Sequence, residues 1–144
     1  MIYRSNLLAL IAEIETELKG AGVKRSLVIY GGAALIAMDI PNRATVDIDV
    51  FQPRIDRQLE KAIHVVAKRH MFDENWVNST GNAFIKELPS GWEKRTQSVY
   101  QGSHLQVSSL GRVDLIFTKI LAELDRQEDL QDILDLKPTR HEIE

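Results

Sequence analysis

The sequence predicts an α+β domain, a mixed β-sheet flanked by helices and followed by C-terminal helices. Three observations carry this prediction. The run Ser26 to Tyr30 is β-branched and aromatic and stops at Gly31-Gly32, Ala44 to Phe51 alternates with period two, and helical spacings of apolar residues flank both. At 144 residues the chain makes one domain with room for a real core. Within it we expect an N-terminal helical part (1–25), a sheet core (26–110) and C-terminal helices (111–137).

The first element is an amphipathic helix. Leu7, Leu8, Leu10, Ile11, Ile14 and Leu18 recur at helical spacing, with Ser5 as the expected cap and Gly20 as the stop. A buried strand, Ser26 to Tyr30, then runs into the Gly31-Gly32 turn and a helix from Ala33 to Met38. Pro41 and Asn42 break that helix. From Ala44 to Phe51, Val46, Ile48 and Val50 alternate with Asp47, Asp49 and Phe51, as in a strand with two unlike faces, and Pro53 ends it. Arg54 to His70 reads as a second amphipathic helix, with Ile55, Leu59, Ile63 and Val66 inward and Arg57, Lys61, Lys68 and Arg69 outward. Weaker strand signals follow at Ala83 to Glu87, Thr96 to Tyr100 and His104 to Ser108, separated by turn residues. A helix from about Asp114 to Asp125 and a shorter one through Leu136 close the chain.

Composition narrows the chemistry. Hydrophobic residues make up 44% and charged residues 27%, as in ordinary soluble domains. No apolar run approaches the roughly 20 residues that cross a bilayer, and no cleavable signal pattern opens the sequence. We therefore expect a cytoplasmic protein with no membrane partner. The absence of cysteine excludes disulfides, thiolate metal sites and thiol nucleophiles. Any metal must be held by oxygen or imidazole. With a net charge of −3 the chain has no global attraction to nucleic acid, so an RNA acceptor would need a local basic patch, for which Arg43, Arg54, Arg57, Lys61, Lys68 and Arg69 are the candidates. The same residues suit a solvated helix face.

The candidate chemistry sits in Asp47-Ile48-Asp49. Residues two apart on a strand share a face, which places the carboxylates roughly 7 Å apart along the backbone. Two like charges at that spacing stay fully solvated, raise a pKa or take up a cation, and a hard divalent ion such as magnesium is the economical partner. An Asp-x-Asp pair alone is more often an exposed acidic strand face, since so short a motif matches by accident. The Gly-Gly turn before it adds a second element, because glycines between a strand and a helix let phosphate oxygens approach backbone N–H groups, although a plain turn uses the same residues. No Gly-Lys-Ser/Thr follows and no third spaced glycine occurs, which excludes the Walker loop and the dinucleotide fingerprint. The histidines His64, His70, His104 and His141 lack metal-pair spacing. Trp76 and Trp92 suit either packing or stacking on a base.

The stretch Ile29 to Ala34, followed by Arg43 to Phe51, resembles the first motif of the nucleotidyltransferase superfamily, whose fold is that of DNA polymerase beta. The Arg-x-Thr-x-Asp-x-Asp form is similar to the bacterial branch that includes toxin subunits of toxin–antitoxin and abortive-infection pairs and small relatives with the DUF6036 domain. Leu88 to Arg95, Asp114 to Ala122 and Arg126 to Ile133 resemble later segments of that branch. The resemblance implies a magnesium-dependent enzyme, with manganese as an alternative ion, that transfers a nucleoside monophosphate from an NTP to a hydroxyl of tRNA or protein. It also implies a toxin-like role with a cognate antitoxin as partner, or a non-catalytic nucleotide-binding module of the same fold. Carried over by residue, Gly31, Gly32, Arg43, Thr45 and Lys119 would bind the nucleotide, Asp47 and Asp49 would hold the metal, and Lys119 and Asp129 would assist chemistry. Lys119 and Asp129 suit solvated helix positions equally well. Many superfamily members carry a third carboxylate on a later central strand, where this sequence has Gln106; Asp114 is the nearest acid and sits where a helix N-cap is expected.

Overall fold

The computed structural model describes residues 1–40, 43–80 and 88–126, with side chains to residue 122. The expected strand at 83–87, the second terminal helix and Asp129 lie outside the described residues. In chain order the elements are β1 (Ile2–Tyr3), α1 (Leu7–Gly20), β2 (Arg25–Tyr30), α2 (Gly31–Ala37), β3 (Ala44–Thr45), β4 (Ile48–Gln52), α3 (Arg57–His70), β5 (Val77–Asn78), α4 (Trp92–Arg95), β6 (Gln97–Gln101), β7 (Leu105–Ser109) and α5 (Arg112–Arg126). The mixed α+β architecture is the one the sequence predicts.

Among the described residues, five strands form one sheet in the order β5-β4-β2-β7-β6, with β2 at the centre, antiparallel to β4 and parallel to β7. Alternation sorts the side chains by face. Leu27, Ile29, Ile48, Val50, Leu105 and Val107 are all buried on one face. Helix α1 covers that face, because Tyr100, paired with Val107 across β6 and β7, sends its hydroxyl to Glu15 Oε1 of α1 at 2.5 Å. The other Glu15 oxygen accepts from the backbone N–H groups of His104 and Leu105 at 2.9 and 3.0 Å, so one carboxylate ties α1 to the β6–β7 hairpin.

Helix α1 buries Leu7, Leu10, Ile11, Ile14 and Leu18, and α3, which packs against it, buries Leu59, Ala62, Ile63, Val66 and Ala67. Each fully buried leucine or isoleucine contributes about 1.5–3 kcal/mol relative to an exposed one. Leu8 falls off the stripe and is exposed. Asn6, not Ser5, stands at the N-cap of α1, and its Oδ1 accepts from the Tyr3 N–H at 2.7 Å, closing the turn after β1 rather than capping the helix. Helix α3 starts at Arg57 rather than at Arg54, because the Asp56 side chain caps it by accepting from the Leu59 N–H at 2.9 Å. Arg69 pairs with Glu13 and Glu17 of α1, so it belongs to the helix–helix seam and not to a free basic track.

The stretch expected as one strand from Ala44 to Phe51 is two. β3 pairs with β1, whereas β4 pairs with β2 and β5, and the chain bends at Val46 and Asp47 as it changes partners. Val46 is consequently 65% exposed instead of joining Ile48 and Val50 in the core. A register shift between β2 and β4 leaves Phe51 as the extra residue of a β-bulge.

Candidate functional site

The site is built where β2 ends and α2 begins. Gly31 has φ +71°, and a side chain there would overlap the Asp49 carboxylate. A Cβ on Gly32 would come within 3.2 Å of Thr45 Cβ and Oγ1. Gly31 is thus required by close approach as well as by backbone conformation, Gly32 is crowded by Thr45 alone, and what approaches both is the acidic segment. Tyr30 lies directly across the ladder from Asp49, which fixes Asp49 beside the turn.

Thr45 links the turn to the other carboxylate. Its hydroxyl lies 3.2 Å from the Asp47 carbonyl and 3.4 Å from Asp47 Oδ1, and it is also 3.4 Å from the Asp47 N–H. Those contacts hold the bend that carries Asp47 just ahead of β4. Asp47 therefore sits outside the strand, and strand alternation does not set the separation of the two carboxylates. Both are half-buried. The fold gathers Gly31, Gly32, Thr45, Asp47 and Asp49 into one neighbourhood.

Asp47 opens onto a cleft of about 560 Å³ whose lining includes Val46, Asp73, Asn75 and Asn78. Asn78 is the register partner of Asp49 on β5, a carboxamide set beside the acidic strand. No feature of the sequence signalled Asn78, because a two-residue strand has no period to read.

Other sequence candidates are placed as follows. Arg43 is half-buried immediately before β3, and Lys119 is half-buried on α5, which packs against α2. Gln106 is exposed on β7, opposite Ser26. Asp114 is neither an N-cap nor a spare ligand: it lies inside the first turn of α5, fully buried, with both oxygens on Arg95 at 3.0 and 2.9 Å. That hydrogen bonding raises the Arg95 pKa above its ordinary value. Trp76 is excluded as a stacking surface, since it is buried and donates to the Ile63 carbonyl at 2.9 Å.

The donor set can be tested against magnesium. The ion takes oxygen ligands, is commonly held by one or two carboxylates, and completes its shell with water and substrate phosphates. Asp47 and Asp49 fit that pattern. Among the described residues there is no group of three acidic, histidine or cysteine side chains placed to hold a metal.

A mixed five-stranded sheet whose central strand ends in a Gly-Gly turn against an acidic strand is a nucleotidyltransferase-like fold. The chain belongs to the family described as nucleotidyltransferase of unknown function (DUF6036), whose model matches residues 5–137. No match was found among curated proteins or among solved structures. Among the described residues, no helix is long and apolar enough to cross a membrane.

Proposed function

We propose that the chain is a magnesium-dependent nucleotidyltransferase that moves a nucleoside monophosphate from an NTP to a hydroxyl of RNA, such as a tRNA end, or of a protein. The observation that carries the reading is the packing of the Asp49 carboxylate on Gly31, which joins an anion-tolerant turn to a cation-binding acid in one place. The family description supports transfer of a nucleotidyl group in general terms.

In this reading the Gly31-Gly32 backbone approaches the triphosphate, and Asp47 and Asp49 hold the ion, with Thr45 fixing the position of Asp47. Magnesium, or manganese in its place, would neutralise the phosphates and favour attack at phosphorus. The acceptor oxygen forms a bond to the α-phosphorus as the bond to the leaving pyrophosphate breaks, and the hydroxyl proton passes to a carboxylate or to water. Lys119 and Arg43 stabilise phosphate charge, and Asp129 orients the hydroxyl or takes its proton. A toxin-like role with a cognate antitoxin would follow from a tRNA or protein acceptor whose modification halts growth.

Incubation with each labelled NTP, magnesium, and tRNA or protein acceptors tests the proposal. Label should pass to an acceptor with the wild-type chain and not with Asp49→Asn; no transfer from any NTP by a folded wild-type chain would contradict it. One observation favours a second reading, a nucleotide-binding module without turnover: Asp114 is locked on Arg95, so the acid nearest to the expected third ligand is already engaged. Magnesium-dependent NTP binding without transfer to any acceptor selects that reading.

A further inference from the structure

The face of the sheet that carries Asp49 also carries a row of aromatic rings. Tyr30, opposite Asp49, meets Phe51 edge-on with centroids 6.4 Å apart, and Phe51 meets Trp92 edge-on at 5.2 Å. Phe51 is two residues beyond Asp49, at the β-bulge between β2 and β4. Burial falls along the series: Tyr30 is buried, while Phe51 and Trp92 are half-buried and keep surface exposed.

The position of Trp92 is fixed from behind. Arg95, at the other end of α4, donates to Asp114 through two nitrogens and to the carbonyls of Pro89 and Ser90, each at 2.9 Å. One guanidinium therefore clamps the turn before Trp92 to α5. A half-buried indole on a turn clamped to α5, at the far end of a ring row that starts beside the candidate phosphate and metal site, presents a flat apolar surface to a planar ligand.

We infer that Trp92, backed by Phe51, is the surface on which the base of the bound nucleotide stacks. The inference rests on the nucleotide reading above and adds a nucleobase subsite to it. Stacking on an aromatic side chain tolerates every base, so the subsite contributes affinity without choosing among the four NTPs.

Intrinsic fluorescence of the full chain tests it directly. Of the two tryptophans, Trp76 is 1% exposed, so acrylamide quenches emission from Trp92. Magnesium with any NTP should protect that emission, and magnesium with tripolyphosphate, which has no base, should not. Trp92→Ala should weaken NTP binding roughly tenfold while leaving tripolyphosphate binding unchanged, and Trp92→Phe should retain most of the affinity. Unaltered NTP binding by Trp92→Ala, or equal loss of NTP and tripolyphosphate by both variants, would overturn the inference. Protection by a short single-stranded oligonucleotide but not by NTP would overturn it too, by assigning the surface to an acceptor base. A wild-type chain that binds tripolyphosphate and NTP equally well refutes the stacking surface alone; one that binds neither refutes the nucleotide reading beneath it.

Discussion

At the scale of single residues, Gly31 is the position where sequence and structure meet most tightly. Its φ of +71° and the Asp49 carboxylate against it make two independent demands for glycine. Gly31→Ala should cost about 2 kcal/mol through left-handed strain and overlap, seen as a thermal midpoint lowered by roughly 6 °C. Gly20→Ala is the control, because a side chain there meets nothing within 4 Å; its midpoint should stay level or rise. Equal midpoints for the two variants would show that Gly31 is an ordinary turn residue. The importance of Gly31 was legible as a Gly-Gly break between strand and helix. Its contact with Asp49 was not, since a ladder register is set by long-range pairing and leaves no local mark.

At the scale of elements, the long alternating elements were readable and the short ones were not. α1, β2 and α3 announce themselves through repeated apolar spacing, and β6 and β7 through the turn between them. β1, β3 and β5 have two residues each and owe their existence to a neighbour rather than to a pattern. The change of partner at Val46 escaped for the same reason, because the alternation continues through the bend although the ladder does not. Asp114 shows how a buried ion pair can resemble a cap in the sequence. Its pairing also makes a directional prediction. Arg95→Met leaves the fully buried Asp114 carboxylate without its cation and should cost about 3–5 kcal/mol, whereas Asp114→Asn leaves a partly exposed guanidinium that reaches water and should cost roughly 1–2 kcal/mol. Chemical denaturation of both variants decides it. An Asp114→Asn loss as large as that of Arg95→Met would refute the asymmetry.

At the scale of the whole molecule, charge contacts between elements set the pH range of stability. The Glu15 carboxyl lies below its usual 4.5, chiefly through the hydrogen bond from Tyr100, and the Asp56 carboxyl lies below its usual 3.8, chiefly through the Arg25 guanidinium. Both groups favour the folded chain while ionised, so their contribution is present above those ordinary values and is lost as acid protonates them in the fold. The Tyr100 hydroxyl is pushed up from 10.0 to about 12, chiefly by its bond to Glu15. Its contribution is complete below pH 10 and disappears as pH rises toward about 12. Stability should therefore fall at both ends, and Glu15→Gln should flatten both limbs in a series of denaturation curves. Retention of the full alkaline limb in Glu15→Gln would detach Tyr100 from it.

The same fold brings a Gly-Gly turn and two carboxylates together from segments that the sequence spaces well apart, and the functional account stands on that meeting. Calorimetric titration of NTPs into the wild-type chain, Asp47→Asn and Asp49→Asn, with and without magnesium, tests it most directly. The expected result is binding by the wild type that needs magnesium and weakens at least roughly tenfold in either acid variant, each still folded. Binding that is indifferent to magnesium and to both substitutions, or no binding by the folded wild type, would contradict it.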